Sequence, residues 1–380
     1  MCRKNLSLLL ILLSAGLFFC GCNTTQTIDE SEIILLKNNS NYDPNAIVLL
    51  VHLGQQQQQA FVSLPRVAFT IGDGTIIITA AHCLEAPSNW SNEPMSSEII
   101  AVSPYYGDAF NCQILTVDKD ADIAVLKAPW PGHPALAIAS PDELNAAGQV
   151  TVFSRPIAKP QDPYQLGRQI RASTIELDRI NQDNPKAGIV LKGTGPVKRG
   201  WSGSAIVIPE SAKVAGVISS VSGIGFRVPK IISIGVIFNA LGSNVQSIWQ
   251  LLEKNDLQYR AKSYFPEKFE SVKQSGPAFS DFMEYFEALF NDDENQAYET
   301  ADKLLAIRPE SAYANLFYAL STDKLAHTLD SDSPALFVQA LDGYERAVEL
   351  NPQSAHLHTI YSNFLINHRL NMKTLEHTES

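Results

Sequence analysis

Ile76-Ile77-Ile78-Thr79-Ala80-Ala81-His82-Cys83 is the stretch that decides how this chain is read. Three isoleucines and a threonine are stiff, β-branched residues suited to a pleated strand. The small pair Ala80-Ala81 ends that strand and leaves an imidazole room to face a cleft. Similar apolar runs, broken by Gly, Pro, Asn and Asp, occur at Ala46–Leu53, Val67–Ile71, Ile99–Ser103, Gln113–Val117, Ile123–Leu126, Val150–Phe153, Ile189–Leu191, Ala205–Ile208 and Val214–Ser219. Short, regularly spaced runs rich in Val and Ile predict an all-β sandwich or barrel from Ala46 to about Leu241. The low-complexity tract Gln55–Gln59 falls between two runs and reads as a solvated hairpin tip. Val245, Ile248, Leu251 and Leu252 have helical spacing, so Asn244–Leu257 closes the domain.

Two further motifs follow the histidine. Asp118-Lys119-Asp120-Ala121-Asp122-Ile123-Ala124-Val125-Leu126-Lys127 sets a carboxylate just before a buried strand. Gly200-Trp201-Ser202-Gly203-Ser204-Ala205 sets a serine between glycines that permit tight turning. A hydroxyl is a poor nucleophile until a neighbouring base takes its proton, and neutral imidazole suits that task. A buried carboxylate would fix the tautomer and stabilise the imidazolium. His82, Asp122 and Ser202 are therefore candidate catalytic residues. The backbone N–H groups of Gly200 and Ser202 are candidates for the oxyanion hole. Singly, each residue also has a bland reading as a structural histidine, a turn residue or a loop hydroxyl; together and in order they point to chemistry.

The three motifs resemble those of the trypsin-like (chymotrypsin-fold) serine peptidases, and within them the bacterial HtrA-like branch. Thr79-Ala80-Ala81-His82-Cys83, Asp122-Ile123-Ala124-Val125-Leu126-Lys127 and Gly200-x-Ser202-Gly203 carry the resemblance. It covers about Ala46 to Leu252, helped by Gly216-Val217-Ile218-Ser219 and Gly225-Phe226-Arg227-Val228-Pro229. It implies a double six-stranded β-barrel, and cleavage of protein or peptide substrates through an acyl-enzyme. It also implies that Ser219 and Val221 line the substrate channel, Val221 narrowing the pocket toward small apolar side chains. Trp201 stands where secreted digestive members have aspartate, so activation by a freed N-terminus is not expected. The family's usual partner for the cysteine after the histidine is absent from Val67–Gly72. Whether Cys83 and Cys112 bond or remain a free buried pair is open.

The ends of the chain carry different signals. Arg3 and Lys4 precede an apolar run, Leu6–Cys20, that is short for a membrane span. Gly21-Cys22-Asn23 then resembles a bacterial lipoprotein processing site, with Cys22 the lipid-bearing residue; a plain secretory signal or an uncleaved anchor is the alternative. Asn23, in place of aspartate, favours the outer membrane if the source has one; the motif alone leaves inner and outer membrane open. Residues 1–21 read as signal, 22–45 as an N-terminal linker, 46–253 as the peptidase domain, 254–276 as a second linker and 277–380 as a helical domain. In the last, Tyr298–Pro309 and Tyr344–Pro352 are two versions of one phrase that puts alanines and larger apolar residues on one helical face before a proline. The phrase resembles the second helix of a tetratricopeptide repeat, with a generic helical bundle as the alternative. The two prolines lie 43 residues apart, so about nine residues beyond the usual period of 34, within Ser321–Ser333, enlarge one loop. Ala312–Leu320 and Ala355–Leu365 read as first helices of following repeats.

The formal net charge is −11. Pro277–Ser380 holds 17 acidic and 6 basic residues, so this region carries all of it. That excludes a nucleic-acid surface, which needs a basic stripe, and favours a protein partner with basic or extended segments on the helical tail. No HExxH or paired CxxC occurs and the histidines are scattered, so no metal is expected; nor is a cofactor, since Gly72-Asp73-Gly74 and Gly193-Thr194-Gly195 are turns rather than phosphate loops. The chain thus reads as an exported serine endopeptidase, lipid-anchored in a bacterial cell envelope. The alternative is a catalytically inactive protease-fold scaffold that binds proteins through its helical tail.

Overall fold

The computed structural model describes residues 43–56, 59–85, 97–130, 132–155, 170–180, 188–191, 201–223, 238–262, 277–328 and 333–368. Eight strands form the first sheet: β1 (Ile47–Gln56), β2 (Gln59–Val62), β3 (Arg66–Ile71), β4 (Ile76–Thr79), β5 (Ser97–Ser103), β6 (Asp108–Asn111), β7 (Gln113–Asp118) and β8 (Ile123–Lys127). Their order is β6-β5-β1-β3-β4-β8-β7, with β2 paired to β1. Alternate residues of β1 serve two cores. Ile47, Leu49, Val51 and Leu53 join a large apolar cluster that continues through the molecule, while Val48 and Leu50 join a smaller one around Trp130. Both faces are buried, which is why Ala46–Leu53 reads as unbroken apolar sequence.

A second set, β9 (Gln149–Ser154), β10 (Arg171–Ile180), β11 (Ile189–Leu191), β12 (Ala205–Ile208), β13 (Lys213–Gly223) and β14 (Phe238–Asn244), closes into a six-stranded barrel in the order β10-β11-β14-β13-β12-β9. The expectation of two closed six-stranded barrels thus needs correction for the first sheet, which curls without a ladder between its edges among the described residues. Those edges, β6 and β7, are consecutive stretches of chain separated by Cys112 alone. Cys112 is buried and its amide donates to Ile99 O at 2.8 Å, so the strand bends there from β5 toward β8. Cys83 and Cys112 are both free.

Residues 136–139 lace the two sheets together. The Leu136 amide donates to Thr70 O at 2.8 Å, Ala139 N to Val214 O at 2.9 Å, and Val214 N to Ala137 O at 2.7 Å. A short helix α1 (Pro141–Ala146) follows, held by a Ser140–Glu143 capping box. Helix α2 (Val245–Lys254) packs Val245, Ile248, Leu251 and Leu252 inward. The stretch read as a linker after it includes helix α3 (Gln258–Lys262), which stays on the first sheet: Ala261 is buried and Arg260 O accepts from Asp73 N at 3.1 Å. Upstream, Asp43 caps a 3-10 turn at Pro44–Ala46 and Asn45 is buried.

Five helices complete the described chain: α4 (Pro277–Phe290), α5 (Glu294–Ile307), α6 (Ala312–Thr328), α7 (Pro334–Leu350) and α8 (Ala355–Asn367). Phe317 on α6 packs among Phe282, Tyr285 and Phe286 of α4 at centroid distances of 4.8–6.0 Å. The extra residues expected to enlarge a loop instead extend α6 through Thr328. Lys324, Leu325 and Ala326 are good helix formers, and the Thr322 hydroxyl bonds back to Tyr318 O at 2.8 Å.

The helices dock on the first sheet through polar anchors. Buried Glu98 on β5 accepts hydrogen bonds from the Tyr313 and Ser354 hydroxyls. The Arg308 guanidinium donates to Gly107 O at 3.2 Å and to Tyr106 O. Buried Arg155 donates to Ile47 O at 2.8 Å and lies 4.8 Å above the Phe279 ring. No helix among the described residues is long and apolar enough to cross a membrane.

Candidate active site

Strand β4 ends at Thr79, and a 3-10 turn over Ala81–Leu84 presents His82. Its neighbour β8 begins just after Asp122, so the ladder Thr79–Ala124 brings the two residues together. Asp122 sits at φ 54°, a left-handed conformation that aspartate tolerates better than most residues. That turn aims its carboxylate at His82: Oδ2 accepts from Nδ1 at 2.9 Å, Oδ1 lies 3.2 Å from Nδ1, and Oδ1 also accepts from the His82 amide at 3.0 Å. The imidazole side chain is 40% exposed and the carboxylate 6%, so the ring faces solvent while its partner is sealed beneath.

Burial pushes the Asp122 carboxyl up, but hydrogen bonds from His82 and Ser219 outweigh it and hold the group below its ordinary value. In turn, the Asp122 hydrogen bond and then the Cys83 contact raise His82 to about 10 against the cost of burial. Cys83 Sγ lies 3.9 Å from His82 Nε2.

Ser202 arrives on a tight turn. Ser204 N donates to Trp201 O at 3.0 Å, and Trp201 is buried, anchoring the loop. The turn is tied to β13 by Gly203 N to Ile218 O at 2.8 Å and Ile218 N to Ser204 O at 2.9 Å. Gly203 has φ 86° and presses on the histidine strand: an added Cβ would stand 2.0 Å from Val67 O and 2.4 Å from Thr79 Oγ1. Ser202, half-buried, is therefore carried to the end of β4, the strand that presents His82. Among the described residues no hydrogen bond joins its hydroxyl to His82. Catalytic hydrogen bonds are often loose before substrate binds.

Residues 67–217, a span that includes all three of these positions, match the family model described as Trypsin-like peptidase domain. That span is similar to a trypsin-like peptidase domain. The match supports a serine-type peptidase, a class that acts on protein or peptide substrates. No curated protein matches the chain.

Just past the matched span, Ser219 has a place that its position on the expected channel wall did not convey. The register of β13 against β14 shifts between Ile218 and Ser220, and this bulge turns Ser219 inward. Its side chain is buried and donates to Asp122 Oδ2, the oxygen that also holds His82. The Ser243 hydroxyl likewise donates to Ala121 O, clamping the aspartate turn to the closed barrel. Gly200, the side chain of Val221 and Gly225–Pro229 lie outside the described residues, as does Cys22. Sequence reasoning missed His52, whose Nε2 lies 3.0 Å from Cys83 O and braces the turn that carries His82. A lone histidine inside the apolar run of β1 gives no signal of that role.

Proposed function

We propose that the protein is an exported, lipid-anchored serine endopeptidase in which His82 is the general base, Asp122 its orienting carboxylate and Ser202 the nucleophile. The observation that carries the reading is the His82–Asp122 pair, a solvent-facing imidazole over a buried carboxylate with its Nδ1 at 2.9 Å from Oδ2. That contact fixes the proton on Nδ1 and leaves Nε2 to take the Ser202 proton. The Ser202 oxygen attacks the scissile carbonyl, and the amides of Gly200 and Ser202 are assigned to the developing oxyanion. His82 then protonates the departing amine, and water admitted to the acyl-enzyme is activated by the same imidazole.

Export rests on the Arg3-Lys4 and Leu6–Cys20 pattern, and lipid attachment on Gly21-Cys22. We assign the helical region a tetratricopeptide-like partner-binding role, supported by its alternating helices and its net charge of −11. The inactive-scaffold reading draws on the unmade Ser202–His82 hydrogen bond, and one assay separates the two. Purified protein is incubated with a peptide library beside Ser202→Ala, with cleavage read by mass spectrometry. Cleavage by the wild type alone, after small apolar residues, is expected; no cleavage by either protein would favour the scaffold.

A further inference from the structure

Asp323 and His327 lie four residues apart on α6, about one turn, so their side chains share a face. His368, which follows α8, meets them there. Its Nε2 is 2.9 Å from Asp323 Oδ1, and His327 Nε2 is 3.6 Å from the same oxygen. One ligand atom from each residue fits within a group no wider than 4.8 Å. In sequence, the two histidines lie 41 positions apart, so no ligand-spacing motif marks the group.

The surroundings enclose His368, whose side chain is 11% exposed, and leave His327 open to solvent at 58%. The two imidazoles stack at 5.0 Å and 21°. Phe337 of α7 packs against both, at 5.6 Å from His327 and 4.6 Å from His368, and Phe364 of α8 lies 4.6 Å from His368. The group forms part of the wall of a cavity of about 480 Å³ among the helices, where Asp292, Asp293 and Glu294 add negative charge. Lys324 also lines the cavity, but its ammonium is paired with Glu294 Oε1 at 3.2 Å.

We infer that Asp323, His327 and His368 bind a zinc ion that ties α8 to α6. Two imidazole nitrogens and one carboxylate oxygen are a zinc donor set, leaving a fourth position for water. Calcium takes six to eight oxygens and magnesium an octahedron rich in water, so neither suits the histidines. Metal–ligand distances of about 2.0–2.2 Å place tetrahedral ligand atoms roughly 3.3–3.6 Å apart. The His327–Asp323 separation of 3.6 Å is already at that spacing. The His368–Asp323 separation of 2.9 Å opens by about 0.5 Å as zinc replaces the shared proton.

The test is a calorimetric titration of ZnCl2 into the chelator-treated, dialysed full chain. One zinc per chain is expected, with a rise in melting temperature. His327→Ala and His368→Ala should each weaken binding by more than the roughly 10- to 100-fold that outer-shell partners are worth. His358→Ala, at an exposed histidine of the same region, should bind as the wild type does. Equal zinc affinity in wild type and the double variant His327→Ala/His368→Ala would overturn the site. Should the variants unfold, Co2+ added to the wild type decides. Strong visible bands of low-coordinate cobalt, displaced by zinc, support the site, and their absence overturns it.

Discussion

Ser219→Ala is the most informative single change at the candidate active site. Its hydroxyl donates to Asp122 Oδ2, which also accepts from His82 Nδ1 at 2.9 Å. Removing the hydroxyl leaves the sealed carboxylate with the two His82 donors, Nδ1 and the amide. A hydrogen bond to a charged group contributes about 1.5–3 kcal/mol. If that support is needed in the transition state, reactivity falls by roughly 10- to 150-fold, at about 1.4 kcal/mol per tenfold. A carboxylate with one donor fewer also attracts the imidazolium more strongly, so the pH at which His82 loses its proton moves upward. The assay needs no knowledge of the natural substrate: the second-order rate of inactivation by a fluorophosphonate is followed across pH. Ser219→Thr, which keeps a hydroxyl, should recover most of the rate. A rate for Ser219→Ala within twofold of wild type, with an unmoved acidic limb, would refute the argument that the bulge in β13 exists to buttress Asp122.

Three further outcomes are expected. Because Asp122 raises the His82 pKa, and only neutral imidazole can act as base, reactivity should fall as pH drops through a limb lying above the ordinary 6.5; a limb at or below 6.5 contradicts this. Gly203→Ala puts a side chain at φ 86° and 2.0 Å from Val67 O, so it should cost at least about 2 kcal/mol in urea unfolding and displace Ser202; unchanged stability would show that the turn has slack. Tyr313→Phe removes one of the donors to buried Glu98, and a drop of about 1.5–3 kcal/mol is expected if the helices and the first sheet unfold together; an unchanged midpoint would mean that the docking is weak.

Most strands visible in the sequence are those whose residues are buried whichever way they face; Gln113–Asp118, exposed or half-buried throughout, was legible from its apolar residues instead. Ile76–Thr79 and Ala205–Ile208 are buried throughout, so composition alone announces them. Strands β10 and β14 were not legible. Arg171–Ile180 interleaves Glu176, Asp178 and Arg179 with its apolar residues, and Phe238–Asn244 contains Gly242, Ser243 and Asn244. Both are strands because neighbours supply their hydrogen bonds, information that no local window holds. The same division runs through the site. His82 and Asp122 sit at strand ends that adjacent sequence defines, whereas the Ser219 contact depends on a register shift against β14, and the brace from His52 depends on β1 lying near the histidine turn. The extension of α6 was misread because Ser321 and Thr322 look like a helix end, although the Thr322 hydroxyl is satisfied within the helix.

The most direct measurement is mass-spectrometric mapping of a fluorophosphonate adduct on the full chain, in the wild type, Ser202→Ala and His82→Ala. A single adduct on the Ser202 peptide is expected, gone in Ser202→Ala and formed at least about 1000-fold more slowly in His82→Ala. No adduct on the wild type, or one that persists in Ser202→Ala, would contradict the assignment of Ser202 and His82 as nucleophile and base.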